Sequence, residues 1–196
     1  MPNSTDRIYL TYKTRMTTEQ RLRRTGYFVY TLLNWYAFLL IAVSIVNLSH
    51  LFIIPYVDLY STLLSAGVFG LTLFASGEKY SERADEFKAC YLELQSLYQG
   101  ALPSEQKVLE YHQILKRYHN QSDDDYDDMV FDSYLRGKRL TDASGEIRLS
   151  KVTISRVIFR RVYRYLLAVS LFVAPLAALY IWVTPETKVE RPAESK

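Results

Sequence analysis

A long uncharged stretch, TGYFVYTLLNWYAFLLIAVSIVNLSHLFIIPYV, decides the fold; it runs from Thr25 to Val57. After one acid, Asp58, a second uncharged stretch, LYSTLLSAGVFGLTLFASG, runs from Leu59 to Gly77. A helix needs about 20 predominantly apolar residues to cross a bilayer, so there is room for two spans with a short turn between them. The sequence therefore predicts a transmembrane helical hairpin, with spans at about residues 27–48 and 57–76.

A third uncharged stretch lies near the end of the chain. Tyr165 to Pro185 has 21 residues without a charge, with Pro175 as a predicted kink. The sequence therefore predicts an all-α membrane protein in which the hairpin continues into a cytosolic helical stem and a third span follows. The predicted regions are a basic N-terminal segment (1–26), the hairpin (27–76), a cytosolic helical region (77–164), the third span (165–184) and an external tail (185–196).

The basic residues indicate how the spans are oriented. The net charge of +3 is too small to argue for nucleic-acid binding, so the position of the charges carries more information than their total. Cytoplasmic flanks of membrane spans are enriched in Lys and Arg, and the turn at 49–56 contains neither. We predict a multi-pass inner-membrane protein with a cytosolic N-terminus and an external C-terminus. The basic flanks are Arg21, Arg23 and Arg24 before the first span and Arg156, Arg160, Arg161 and Arg164 before the third.

The second span carries its polar residues on one helical face. Asp58, Thr62, Ser65, Thr72 and Ser76 follow at spacings of 4, 3, 7 and 4. Such residues either let helices pack closely and share hydrogen bonds or line a water-filled pore in an oligomer, and the sequence leaves both open. The candidate pore-lining residues are Asn34, Asn47, Ser61, Thr62, Ser65 and Thr72.

A regular apolar repeat follows the second span. Its spacing of 4-3-4-3-4, with no proline from Val57 to Leu102, predicts one long helix that leaves the bilayer as a coiled-coil-like stem. The alternative is an amphipathic helix packed on its own chain. Gly100 and Pro103 are expected to end the helix. The stem positions are Tyr80, Ala84, Phe87, Tyr91, Leu94 and Tyr98.

Local signals predict the remaining helix boundaries. Thr17 and Gln20 match a capping box, so the first helix is expected to start near Thr17. Ser104 is expected to cap the helix after the stem. The acidic run 123–128 suits a helix start with a solvated acidic face. Residues 137–150 are expected to form a loop before a last helix that begins near Ser150.

No group of residues predicts catalysis, a metal site or a cofactor. The acidic run lacks the glycine and the bidentate Glu of a calcium loop, since Asp128 and Tyr134 stand there. His112 and His119 are only two ligands, fewer than a zinc site needs. Cys90 is interpreted as a packed small residue. We therefore expect no enzymatic activity.

The segment GLTLFASGEKYSERADEFKACYLEL, from Gly70 to Leu94, resembles the SLATT domain, a two-transmembrane effector of bacterial conflict systems. Its Tyr, its Arg-Ala pair and its Leu-rich heptad after the second span are similar to that family. The segment YHNQSDDDY, from Tyr118 to Tyr126, is similar to a subfamily that extends past the hairpin. The resemblance covers about residues 10–184 and implies a pore-forming effector that a partner or an upstream sensor triggers to stop the host cell during phage infection.

The predicted function is that of an oligomeric effector that permeabilises the inner membrane. Its expected partners are membrane lipid, copies of itself and a protein from the same defence locus, with no direct nucleic-acid contact. A non-conducting membrane anchor for a cytosolic partner is the main alternative. An ion-coupled transporter is less favoured, because no charge lies in mid-span.

Overall fold

The computed structural model describes residues 4–48, 57–138, 140–142, 145–147 and 149–183. These residues confirm the prediction of an all-α protein with three helices long and apolar enough to cross a membrane. A single hairpin of two two-residue strands interrupts the helices in the described ranges. The elements are α1 (Ser4–Leu48), α2 (Val57–Glu78), α3 (Tyr80–Gln99), α4 (Ser104–Arg117), α5 (Asp123–Leu135), β1 (Thr141–Asp142), β2 (Gly145–Glu146) and α6 (Lys151–Val183).

The described chain divides into two compact units. The first, here called the charged unit, comprises the described residues within Met1–Tyr27 and Lys79–Tyr163. The second, here called the apolar unit, comprises the described residues within Phe28–Glu78 and Arg164–Lys196. Helices α1 and α6 each contribute their charged part to the first unit and their apolar part to the second. The predicted turn at 49–56 and the predicted tail at 185–196 lie outside the described residues.

Helix α1 begins at Ser4, much earlier than the predicted start near Thr17. The Thr17 hydroxyl donates to the Lys13 carbonyl at 3.2 Å, as in a helix interior, so it does not cap the helix. A repeat of seven residues explains the added length, because every seventh side chain of α1 is buried along both units. These buried residues are Ile8, Arg15, Leu22, Val29, Tyr36 and Val43.

The predicted single helix from Val57 to Leu102 is interrupted at one residue. Lys79 takes a left-handed backbone conformation (φ 47°, ψ 44°), so α2 ends at Glu78 and α3 begins at Tyr80. Gly77 lowers the helix propensity just before this point, and the chain passes between the two units here. The expected stop is close to the observed one, since α3 ends at Gln99.

The core of the charged unit forms where α1, α3 and α4 meet. Its largest cluster joins Ile8 and Tyr12 of α1 to Leu94 of α3 and Ile114 of α4. The helices α1 and α3 approach so closely that a Cβ on Gly26 would lie 3.3 Å from the Cβ of Tyr80. A side chain at position 26 would therefore crowd this contact.

Helices α5 and α4 begin with different kinds of capping residue. Ser122 caps α5, because its side chain accepts a hydrogen bond from the Asp125 backbone N–H at 3.3 Å. Ser104 is instead the first residue of α4, and Pro103 occupies the capping position without a side-chain bond. The predicted loop before α6 contains the β1–β2 hairpin, in which Gly145 has a φ of 114° that favours glycine.

The apolar unit contains one hydrogen bond that explains how Pro175 fits inside α6. A proline has no N–H, so the carbonyl four residues earlier loses its helical donor. That carbonyl belongs to Leu171, and the Tyr36 hydroxyl of α1 donates to it at 2.8 Å. Trp35 Nε1 donates to the Phe172 carbonyl at 3.2 Å, and the Tyr60 hydroxyl donates to the Pro175 carbonyl at 3.0 Å. Aromatic side chains thus tie α1 and α2 to α6.

Candidate functional site

The predicted polar face of α2 is open to the surroundings of a single chain. Thr62, Ser65 and Thr72 are exposed, and Ser61 is half-buried. Only 6% of the most apolar window of this helix is buried in the protein, and Tyr60 is its buried residue. In a membrane, this face therefore contacts either lipid or a partner that a single chain does not supply, such as water or a neighbouring helix.

The hydroxyls on this face are bonded to their own helix. Thr62 donates to the Asp58 carbonyl at 2.7 Å, Ser65 to the Thr62 carbonyl at 2.9 Å and Thr72 to the Val68 carbonyl at 2.8 Å. Each donor is satisfied locally, while the oxygen lone pairs point away from the backbone. The face can thus sit in lipid without an unmet donor, and it can also accept hydrogen bonds from water or a neighbouring helix.

The two candidate asparagines lie elsewhere. Asn34 and Asn47 are both exposed on α1. At about 100° per residue, their separation of 13 positions sets them roughly 140° apart around the helix. Within the described ranges neither amide is hydrogen bonded to an α2 hydroxyl.

The predicted stem face is packed against its own chain. Ala84 and Phe87 are buried with Leu22 of α1, and Tyr80 packs on this cluster. Leu94 is fully buried in the cluster with Ile8 and Ile114, against which Tyr91 and Tyr98 also pack. The structure thus agrees with the second interpretation of the apolar repeat, in which α3 is an amphipathic helix packed on its own chain.

Cys90 is buried as predicted, but beside a partner that the sequence analysis missed. Arg15 of α1 is also fully buried, and its Nη1 donates to Cys90 Sγ at 2.7 Å. Burial raises the pKa of the Cys90 thiol, and the opposing effect of Arg15 does not cancel it. The sequence signal that could have found Arg15 is its spacing, because it lies seven residues after Ile8 and seven before Leu22.

Two acids of α5, Asp125 and Asp128, are buried, which corrects the expectation of a solvated face at these two positions, whereas Asp123 and Asp124 are exposed as expected. Asp125 is fully buried and accepts from Arg21 Nε at 2.6 Å, Arg21 Nη2 at 3.0 Å and the Thr18 hydroxyl at 3.0 Å. The Ser122 hydroxyl lies 3.2 Å from the same carboxylate. A buried charge is costly unless it is paired and hydrogen bonded, and α1 supplies most of the partners here.

The same helix binds arginines of α6. Arg160 Nη2 lies 2.9 Å from Asp128 Oδ1, and Arg160 also pairs with Asp124. Arg161 Nη2 lies 2.8 Å from Asp132 Oδ1, with its guanidinium 5.0 Å from the Phe131 ring centroid. Burial lowers the pKa of Arg160, but the carboxylates of Asp128 and Asp124 raise it by more. Acids on α5 thus hold α1 on one side and α6 on the other, all within the charged unit.

One comparison with known proteins identifies a family. The family model of the SMODS and SLOG-associating 2TM effector domain family 5 matches residues 3–181. The match includes α6, so it spans all three helices that could cross a membrane. No curated protein and no solved structure matches the sequence.

Proposed function

This chain belongs to the SMODS and SLOG-associating 2TM effector domain family 5, and from that membership we propose that it is an oligomeric effector that permeabilises the bacterial inner membrane in anti-phage defence. A partner protein from the same locus, or a second-messenger sensor, triggers it. Catalysis, a cofactor and direct nucleic-acid binding have no part in the proposal.

The open hydroxyl face of α2 carries the proposal. Thr62, Ser65 and Thr72 share this face in a helix that is long and apolar enough to cross a membrane. A helix that meets only lipid gains nothing from such residues, whereas small and hydroxylated residues favour contact with other helices or water. When several copies assemble, their α2 faces can surround a polar path.

The ion pairs of α5 support a role for the charged unit as receiver of the trigger. Arg21 of α1 and Arg160 of α6 are both held by α5, and both helices continue into the apolar unit. A switch needs two states that a partner stabilises unequally. A ligand or partner that binds α5 in place of these arginines would free the two helices that lead to the spans.

The positions of the basic residues support the proposed orientation. The arginines that precede the apolar parts of α1 and α6 lie on the cytosolic side by the positive-inside rule. Tags fused to either end of the full chain test it in spheroplasts. External protease should remove the C-terminal tag and leave the N-terminal tag intact; the opposite pattern would overturn the orientation.

Permeability is the deciding measurement. Cells that express the chain with its genomic neighbours should lose membrane potential and admit dye after the trigger. The double variant Thr62→Leu with Ser65→Leu should reduce dye entry about tenfold, because it removes the polar atoms of the α2 face. Ser44→Leu is the matched control, since Ser44 of α1 is also exposed and bonded to its own helix, at 2.8 Å to the Leu40 carbonyl.

The outcomes separate the candidate functions. Leakage that the double variant reduces and Ser44→Leu does not would support a polar path along α2. Equal leakage in all variants would mean that these hydroxyls only pack. A membrane that stays sealed under triggering conditions would overturn the effector proposal and favour a membrane anchor for a cytosolic partner.

A further inference from the structure

One face of α6 is unburied along almost the whole helix. From position 152 to position 180, residues at alternating spacings of 3 and 4 are all exposed, which is the a and d pattern of a coiled coil. Eight of the nine are apolar, and their exposed fractions range from 42% to 72%. This face, here called the α6 seam, consists of Val152, Ser155, Phe159, Val162, Leu166, Val169, Val173, Leu176 and Tyr180.

The opposite face of α6 holds the helix in its own chain. In the charged unit, Val157 is fully buried, and Arg160 and Arg161 pair with α5. In the apolar unit, Pro175 is buried, and the Leu171 carbonyl accepts from α1. Packing within the chain therefore uses one side of α6 in each unit and leaves the seam uncovered in each.

Lipid cannot cover the first part of the seam. The candidate span Lys151–Ile181 has 31 residues, a length of about 46 Å, against a hydrocarbon core of about 30 Å. Because the arginines at 156, 160, 161 and 164 are charged, the excess length belongs to the first 14 residues of this helix, 151–164. There Val152, Phe159 and Val162 are 67%, 72% and 51% exposed, beside an open apolar groove that also includes Ile154 and Ile158. Such a contiguous apolar surface in water indicates an interface.

We infer that the α6 seam binds the α6 seam of a second copy in parallel orientation. All copies enter the membrane in the same direction, so their α6 helices are parallel and cross the membrane boundary at the same residue. A second copy thus offers the same 3-4 repeat both in water and in lipid, which a soluble partner does not. At roughly 150 Å² per large side chain, the exposed part of the seam is on the order of 700 Å², close to the ~800 Å² per partner of a stable interface.

The charges beside the seam make a test of register possible. With Val152 at the first a position and Ser155 at the first d position, Lys151 lies just before the a position and Arg156 just after the d position. In a parallel pair these two positions face each other across the interface, where like charges repel. Arg156→Glu should therefore replace this repulsion by attraction to Lys151 of the other copy and strengthen the association.

Disulfide cross-linking of the full chain in membranes tests the inference. Phe159→Cys and Val162→Cys should each give about fivefold more covalent dimer than Leu109→Cys, a 62% exposed residue of α4 away from the seam. Val173→Cys should likewise exceed Ala174→Cys within the span. The unaltered chain is the blank, because its single thiol, Cys90, is buried. Arg156→Glu should increase the Phe159→Cys cross-link, and Arg156→Glu combined with Lys151→Glu should return it to its starting level.

The inference rests on the proposed oligomeric assembly, and the results distinguish the two. Equal cross-linking at seam and control positions would overturn the seam, even if cysteines on the α2 face cross-link and the cells leak. Dimers at seam positions in cells that stay sealed under triggering conditions would support the seam and contradict permeabilisation. An unchanged or weaker Phe159→Cys cross-link with Arg156→Glu would contradict the parallel register.

Discussion

The charged unit and the apolar unit differ in the bonds that hold their helices together. Hydroxyls bond to their own helix in both units, but in the charged unit side chains also bond to side chains of other segments, as Thr18 does to Asp125 at 3.0 Å and Tyr118 to Glu93 at 2.7 Å. In the apolar unit, Thr62, Ser65 and Thr72 bond to their own backbone, and Trp35, Tyr36 and Tyr60 provide bonds to another helix. The helices of the charged unit are thus tied by specific pairs, whereas much of the surface of the apolar unit stays open to new partners.

The first prediction weakens the charged unit at its buried carboxylate. Asp125→Asn keeps the shape of the side chain but removes the charge that binds Arg21, so we expect a loss of about 3 kcal/mol. Thermal unfolding in detergent, followed by circular dichroism, measures it. Asp123→Asn is the matched control, because Asp123 is exposed in the same first turn. An equal effect of both substitutions would show that helix-dipole charge, and not the buried pair, is responsible.

The second prediction addresses the bond that compensates Pro175. Tyr36→Phe leaves the Leu171 carbonyl without its donor and should cost about 1 kcal/mol. In a Pro175→Ala background the backbone N–H of residue 175 bonds this carbonyl, so the same substitution should cost nearly nothing. A double-mutant cycle on unfolding in detergent measures the coupling.

The control for this cycle is Tyr60→Phe. The Tyr60 hydroxyl bonds the Pro175 carbonyl, which keeps its acceptor role whether or not residue 175 is a proline. Its cost should therefore be the same in both backgrounds. If Tyr36→Phe also costs the same in both, the proline does not explain the bond.

The third prediction concerns alkaline pH and the Cys90 thiol. Burial raises the pKa of Cys90 in the folded chain, so folding favours the neutral thiol. This contribution is complete below the unfolded pKa of about 8.5 and is lost as the pH rises through the folded value. Melting temperatures between pH 8 and 10 should therefore fall less steeply in Cys90→Ala than in the unaltered chain. Parallel slopes would show that the thiol does not titrate differently on folding.

The fourth prediction has the smallest effect on stability. Thr72→Val removes a hydroxyl that is exposed and bonded to its own helix, so the free energy of unfolding should change by less than about 0.5 kcal/mol. The same change should still lower leakage if the α2 face is wet. A large loss of stability in detergent would mean that this hydroxyl already contacts another helix.

The sequence predicted the apolar unit better than the charged unit. Uncharged length alone indicated three helices that could cross a membrane, and spacing alone indicated the shared face of Thr62, Ser65 and Thr72. The same reasoning missed the start of α1 and the break at Lys79. Both depend on tertiary contacts, since α1 gains length from packing on α3 and α4, and the break lies where the chain leaves one unit for the other.

The sequence by itself determined which segments are apolar, which faces are polar and where arginines flank the spans, because charge, hydropathy and helical period are local properties. Only the tertiary structure decided that the stem face is packed within its own chain and that the buried Asp125 pairs with Arg21, 104 residues away. It also decided that Tyr36 bonds the carbonyl freed by Pro175, across 135 residues. Such pairs depend on which helix faces meet, and no local pattern specifies that.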